Sequence, residues 1–415
     1  MKTSFDAAIV GAGPAGASLA ILLARAGWSV ALIERQAFPR RKVCGECVAA
    51  SNLALLDALG VGAAFASRAG AELRRVALMR GRETIVASLP AAPGAHRWGR
   101  ALGREHLDTV LAEAAETAGA TRLQPWSLQA IAGSPGRYSL RARAAPGAVG
   151  AAELELRAGL VVAAHGSWEP LPIERAERRE RRKPSDLFAF KANFRGAALD
   201  ADLLPVLSFA GGYGGMVVAD GGVLTLAGCV RDDRLQALRA ATPEARAGEA
   251  FEAMLREECV GVAAVLLGAT REGAWLASGP LRPGIRVGTE DGVFRIGNAA
   301  GEAHPIVGEG ISMALQSAFV LAALIGPGRA ALVAPASAAA AQRSAQRAYA
   351  SLWRRRFARR LVVAAGFAHI AMRPALAAAA WPLVRRWPQI LTAGARLSDK
   401  THCAPEAARV AGAGA

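Results

Sequence analysis

The pattern of apolar and polar positions divides the chain into recognisable elements. A short apolar strand runs into a glycine-rich turn at Gly11 to Gly16, and an amphipathic helix follows. A second apolar strand, ending on Glu34, completes a strand–turn–helix–strand unit over residues 5–34. Ser51 to Leu59 reads as a helix that stops at Gly60, and residues 73–88 alternate enough to be strands. Arg104 to Ala118 is helical and ends at Gly119. Residues 136–165 read as a hairpin followed by the buried strand Leu160-Val161-Val162-Ala163-Ala164. Downstream, residues 186–230 read as sheet, with Asp220-Gly221-Gly222 marking a hairpin. A helix is expected at 243–257 and a strand region at 284–297. Ile311 to Ile325 is an apolar helix closed by Gly326-Pro327, and residues 335–395 are helical and alanine-rich.

The first unit carries chemistry. Gly11-Ala12-Gly13-Pro14-Ala15-Gly16 lies between a strand and a helix, and Glu34 ends the second strand. Gly11 permits the tight turn, and Gly13 lets a pyrophosphate approach the backbone at the helix N-terminus. Gly16 allows the helix to pack close to the sheet. Glu34 is placed to accept hydrogen bonds from an adenosine ribose. A lone G-x-G-x-x-G is weak, but here the required context surrounds it.

Composition changes this picture little. With 415 residues, 53% of them hydrophobic, the chain has enough material for a large core. The net charge of +16 raises a nucleic-acid reading, yet lysine occurs only at positions 2, 42, 183, 191 and 400. The excess is arginine in an alanine-rich chain, without a nucleic-acid-binding motif, so no nucleic-acid partner is expected. Met1-Lys2-Thr3-Ser4 leads directly into the first strand, and the five cysteines carry no secretory mark. A cytoplasmic location with reduced thiols is therefore expected. The charge run Glu174 to Lys183 reads as a solvated loop.

A second informative segment lies far downstream. Val293-Phe294-Arg295-Ile296-Gly297-Asn298-Ala299-Ala300-Gly301 runs as a strand into a small-residue turn. His304-Pro305-Ile306-Val307-Gly308-Glu309-Gly310-Ile311 then opens a long helix, whose free N–H groups suit a partly anionic ring.

Together these stretches resemble the FAD-dependent oxidoreductases of the para-hydroxybenzoate hydroxylase fold, and within them the geranylgeranyl-reductase-like and flavin-monooxygenase branch. The resemblance rests on GAGPAG with Glu34, on Arg41-Lys42-Val43-Cys44-Gly45-Glu46 as a K-x-C-G-E motif, on GNAAGEAHPIVGEG, and on Arg104. It implies an α/β fold: a discontinuous Rossmann-like FAD-binding domain, a substrate domain with a mixed or antiparallel sheet, and a C-terminal helical region. The boundaries it implies are 1–72, 98–185 and 270–330 for the first, 73–97 and 186–269 for the second, and 331–415 for the third.

The resemblance also implies a cofactor site. Gly11, Gly13, Gly16, Glu34 and Arg104 would hold the ADP half of FAD. Asn298 would meet the ribitol, Gly308 and Gly310 the pyrimidine edge, and Pro14, Ala15, Arg35, Arg41, Gly297, Pro305, Glu309 and Ile311 would also contact the cofactor. Cys44, Gly45 and Glu46 would lie near the ring. Asn298 replaces the usual Asp, and His165-Gly166-Ser167-Trp168 stands where many hydroxylases carry Asp-Gly. With no second glycine-rich unit, NAD(P)H is expected only as a transient electron donor.

Individual residues complete the reading. Cys44 and Cys47 lack the two further ligands a zinc site needs, so no metal is expected. Cys44, His304 and Tyr213 are the candidate catalytic residues: a thiol near the ring, the imidazole nearest it, and a phenol in the substrate sheet. For His304 a loop-shaping hydrogen bond is the competing role. His165 reads as support for the fold or the FAD edge, while His96, His106, His369 and His402 have no evident partners. Lys191 reads as a solvated strand lysine, with a substrate-facing position as the alternative. The W-x-W-x-I-P motif of flavin halogenases is absent, and Gly215-Met216 breaks the Tyr-x-Trp pattern of prenyl reductases.

Near the C-terminus, Trp353 to Arg360 is strongly basic, and His369, Arg373 and Pro374 interrupt the apolar stretch that follows. Packing over the substrate domain or peripheral membrane contact would each account for it. The expected activity is that of an FAD-dependent monooxygenase or oxidase on a lipophilic, aromatic or polyketide-like small molecule. Flavin-dependent reduction of isoprenoid double bonds is the alternative.

Overall fold

The computed structural model describes residues 2–145, 152–166, 171–172, 182–288, 291–398 and 401. Most of the 174–183 charge run, Ser167, Trp168 and His402 lie outside the described residues.

The first sheet grows from the N-terminal unit. Ser4–Val10 pairs in parallel with Val30–Ile33 on one side and with Glu153–Ala163 on the other. Thr121–Leu123 extends the parallel part beyond Val30–Ile33. Arg137–Ala144 and Trp126–Ser134 add antiparallel strands to the opposite flank. The late strand Phe294–Arg295 joins the C-terminal end of Glu153–Ala163. That pairing brings the downstream small-residue turn beside the first glycine turn, although nearly three hundred residues separate them. The helix Pro14–Arg25 starts on a proline and buries nine of its twelve residues, so it is apolar almost all round. Gly310–Ile325 packs against it, equally buried.

A second seven-stranded sheet runs in the order Thr270–Leu281, Leu187–Arg195, Leu224–Arg231, Gly212–Val218, Leu203–Phe209, Arg75–Arg80, Glu83–Ser88. All its pairs are antiparallel except Leu203–Phe209 with Arg75–Arg80. Phe190 stacks on Phe251 of the helix Ala247–Glu258, at 5.1 Å between ring centroids, and Trp275 meets that ring edge-on. The strand Thr270–Leu281 differs from the sequence reading, which assigned residues from 270 onward to the other unit. Its seven partners along Leu187–Arg195 fall in register with two irregularities, and its residues are mostly half-exposed, so no alternation marks it. The expected strand region at 284–297 shrinks to Gly284–Ile285 and Phe294–Arg295.

Three terminal helices, Ala338–Ala371, Pro374–Arg386 and Gln389–Leu397, close the chain. The first two meet at 102° near Arg373-Pro374. Trp381 and Val384 pack on Ile85 of the sheet edge, and Thr392 Oγ1 donates to the Ser88 carbonyl at 2.7 Å. Among the described residues, Gly310–Val333 is long and apolar enough to cross a membrane, but 72% of its most apolar window is buried inside the fold.

Candidate functional site

The glycines of the first turn differ in what confines them. A Cβ on Gly16 would lie 1.9 Å from the Gly11 carbonyl oxygen, and one on Gly11, at φ +105°, would meet Ala164. Both are required by packing. A Cβ on Gly13 would meet only Arg104 Nη2, at 3.6 Å, so its backbone faces an open cleft. This is the cradle a pyrophosphate needs: exposed backbone at a helix N-terminus with a cation across it.

Cations crowd that cleft. Arg104 opens the helix Arg104–Thr117 and donates from Nε and Nη2 to Asp108, at 2.7 and 2.8 Å. Burial disfavours its charge, but Asp108 and the neighbouring Cys44 outweigh this and raise its pKa. Arg40 lies 3.1 Å from Asp108 and 3.6 Å from Glu34, and its Nε is buried without a partner. Lys42 has no carboxylate within ion-pair distance among the described residues; burial, then Arg104 and Arg40, bring its ammonium down to about 8. A buried cationic cluster whose two carboxylates are shared in this way favours a bound anion. Glu34 accepts from the backbone N–H groups of Ala12 and Gln36, each at 3.0 Å, which fixes the carboxylate at the cleft edge.

Two cavities meet at Lys42 and Val43. One, of about 480 Å³, runs past Gly11, Glu34, Arg35 and Trp126. The other, of about 570 Å³, begins at Gly13, Pro14, Ala15 and Arg104 and passes Cys44, Gly45, Gly297 and Asn298. Pro305, Gly308, Gly310 and Ile311 line the same wall, with Gly308 left-handed at φ +62°. A Cβ on Gly45 or Gly310 would meet nothing within 4 Å. These residues fit an extended FAD: buried cations for the pyrophosphate, Glu34 for the ribose, and a helix N-terminus for the ring.

His165 sits at the end of Glu153–Ala163, on the smaller cavity. Burial, with Arg295, Lys42 and Arg286 nearby, lowers its pKa to about 4, and its buried Nδ1 has no partner. A neutral imidazole thus stands where the resemblance led one to look for a carboxylate.

Three residues assigned to the cofactor direct their side chains elsewhere. Arg41 donates to Glu105 at 2.9 Å and to the backbone and carboxylate of Glu272, tying the Arg104 helix to the second sheet at the surface. Lys42, the next residue, is the one that turns inward. Glu309 is fully buried and pairs with Arg360 of the terminal helix Ala338–Ala371. Arg360 in turn donates to Gln316, and Gln316 to Asn52, so Glu309 anchors this helix to the ring wall.

Glu46 is the third. Its carboxylate accepts from Lys191 Nζ, from Thr225 Oγ1 and, at 3.1 Å, from the backbone N–H of Arg104. Lys191 is completely buried, neither solvated nor facing substrate. Among the described residues, Glu46 is the one non-glycine residue at left-handed φ, +59°, a conformation costing about 1–2 kcal/mol. The ion pair with the second sheet holds it there. As a result Cys44 and Gly45 project into the cavity from a loop fixed at its end, and the Glu46 N–H donates to Cys44 Sγ at 3.3 Å.

The structure brings Tyr213 and His304 together. Tyr213 Oη lies 3.2 Å from His304 Nδ1, and Cys229 packs in the same buried cluster as Tyr213. Burial raises the phenol well above its ordinary value, with Cys229 adding to the shift, and lowers the imidazole below 6.5. A neutral phenol hydroxyl at the cavity wall therefore faces a neutral imidazole acceptor. Burial pushes Cys229 up to about 12, so it stays a thiol. No disulfide joins Cys44 and Cys47, and no metal cluster occurs among the described residues. His96 and His106 pair with Asp57 and Asp220 at the surface.

Sequence reasoning missed Arg40, Asp108, Thr225 and the inward role of Lys42. Lys42 had a usable signal, since it is the lysine of K-x-C-G-E.

The family model described as "FAD binding domain" matches residues 4–331. Menaquinone reductase of Mycobacterium tuberculosis is 35% identical over 120 residues, which is 29% of this chain and 29% of that protein. Kynurenine 3-monooxygenase of Xanthomonas oryzae pv. oryzae is 38% identical over 122 residues, 27% of this chain and 26% of that protein. The chain therefore spans less than a third of the length of these curated relatives. A solved flavin-dependent brominase superposes with a TM-score of 0.72 at 16% identity, covering 99% of this chain and 98% of its own. At that identity the likeness concerns the fold.

Proposed function

Since the chain belongs to the FAD-binding-domain family and has the para-hydroxybenzoate hydroxylase fold, we propose that it is an FAD-dependent monooxygenase acting on a lipophilic, aromatic or polyketide-like small molecule. The observation that carries this reading is the larger cavity. It is continuous from the glycine turn and ring wall, past the Tyr213 hydroxyl, into a space lined by apolar residues of both the second sheet and the terminal helices. FAD, when bound and reduced, supplies the oxygen-activating chemistry, with NAD(P)H as the proposed transient source of electrons.

The chain's own residues contribute position and a proton path. The cavity excludes water from an apolar substrate and strengthens the few polar contacts inside it. A phenolic substrate would bond Tyr213 Oη, which in turn gives onto His304 Nδ1, so a proton leaving the substrate passes to a neutral imidazole. Lys42, Arg40 and Arg104 hold the cofactor's charge, and Cys44-Gly45 separate cofactor and substrate.

A second reading is favoured by Cys44, a thiol in the cavity from the K-x-C-G-E loop: saturation of an isoprenoid double bond, with that thiol as proton donor. Product mass separates the two. The holoenzyme would be given NADPH or NADH, air, and either a lipophilic phenol or a prenylated quinone. Gain of one oxygen supports the first reading, and a gain of two hydrogens that persists after the quinone ring is reoxidised moves the assignment to the second. No product from any pairing, with flavin that NAD(P)H leaves oxidised under nitrogen, overturns NAD(P)H-driven turnover.

A further inference from the structure

We propose that the terminal helices dock on an anionic lipid bilayer and that the larger cavity opens on that surface. The argument begins with charge. From residue 310 to residue 398 the chain has twelve arginines and no aspartate or glutamate, although it contains 34 acidic residues in total. An 89-residue stretch of one sign is not the mixed surface of a solvated face. Carboxylates from outside this stretch hold three of its arginines: Glu309 takes Arg360, Glu83 takes Arg385 and Asp6 takes Arg329. Arg373, Arg386 and Arg396 remain exposed.

Apolar exposure coincides with this charge. Leu376, Leu383 and Trp387 recur at intervals of seven and four along Pro374–Arg386 and its C-cap, which places them on one helix face. They are 41%, 52% and 50% exposed, and Ile370 and Leu397 lie exposed on the flanking helices. Arg386 stacks over Trp387 at 5.7 Å, a pairing that suits the boundary between headgroups and acyl chains. The other face of the same helix, Ala377, Trp381 and Val384, lines the cavity, and so do Ile370 and Leu383. One helix therefore has its inner face on the cavity and its outer face toward solvent, and Leu383 belongs to both. A lipophilic molecule would pass from the acyl region into the cavity without crossing water.

This proposal concerns the surface and stands apart from which reaction the site performs. The test is co-sedimentation of the FAD-loaded protein with vesicles of phosphatidylcholine alone or with a phosphatidylglycerol fraction. Binding is expected only with phosphatidylglycerol and should weaken as salt rises. Arg386→Gln with Arg396→Gln should reduce it about fivefold per arginine, and Leu376→Ser with Trp387→Ser should abolish it while FAD retention and the near-ultraviolet spectrum stay unchanged. Equal binding to both vesicle types, no binding to either, or full binding by the Leu376/Trp387 variant would overturn the proposal. Self-association without lipid that the Leu376/Trp387 variant abolishes would overturn it too, by assigning the face to a second copy.

Discussion

The two cavities share Lys42 and Val43 but are built on opposite principles. The smaller one is polar and centred on the first unit, with Gly11, Glu34 and the cations Arg35, Arg40, Arg41 and Lys42, although Trp126, His165 and Leu276 to Gly279 also line it. The larger one is apolar and assembled from remote parts, with its walls drawn from the first sheet, the second sheet and the terminal helices. A ligand's phosphates demand a particular backbone and particular charges, whereas an apolar ligand demands only volume and dryness. The first demand fixes residue types at fixed spacings, and the second leaves them interchangeable.

The sharpest way to break this contrast is to attack the joint between the two regions. Lys191→Met alone would leave Glu46 buried without its cation and should cost about 3–5 kcal/mol of stability in urea unfolding. Combining it with Glu46→Gln should restore most of that loss. A single-variant cost below about 1 kcal/mol would show that the loop is held by other means. Within the apolar cavity, Tyr213→Phe should lower turnover about 100-fold while FAD binding is unchanged. His304→Gln should do the same, and the double variant should be no worse than either, as expected for one proton path. Normal turnover by Tyr213→Phe would reduce the pair to loop support.

In the polar cleft, Lys42→Met should weaken FAD binding about 10–100-fold, measured by cofactor release, with the fold intact. Gly13→Ala should act in the same direction, while Gly16→Ala should prevent folding, because only the latter Cβ meets backbone at 1.9 Å. The smallest effect concerns pH. Burial lowers the His304 pKa below 6.5, so the imidazole stays a neutral acceptor as pH falls through that value. Turnover should hold its plateau at pH 6.5 and decline only below it. An acid limb above 6.5 that disappears in His304→Gln would contradict this sign.

The same contrast explains what the sequence disclosed. The strand–turn–helix–strand unit, the Arg104 helix and the GNAAGEAHPIVGEG wall were legible because each is a local solution to close backbone approach. Tyr213 and His304 were both singled out, although their meeting was not, since they stand 91 positions apart. The Lys191–Glu46 pair spans 145 residues, and no periodicity in FAFKANF distinguishes a buried lysine from a solvated one. Glu309 looked like a ring-wall residue because it sits among glycines, and only the return of Arg360 from the terminal helix reveals its partner. Thr270–Leu281 escaped because a half-exposed strand containing two glycines and a proline carries no alternation.

The family match ends at residue 331, yet the outer wall of the larger cavity lies between Phe367 and Ser398. The part of the chain that handles the cofactor and the part that shapes the far end of the cavity are therefore separate stretches of sequence, joined through Arg360, the sheet edge at Ile85 and the packing of Trp353 and Phe357 into the core. A lineage could exchange the second stretch and acquire a new substrate while every residue that touches the cofactor stayed as it was.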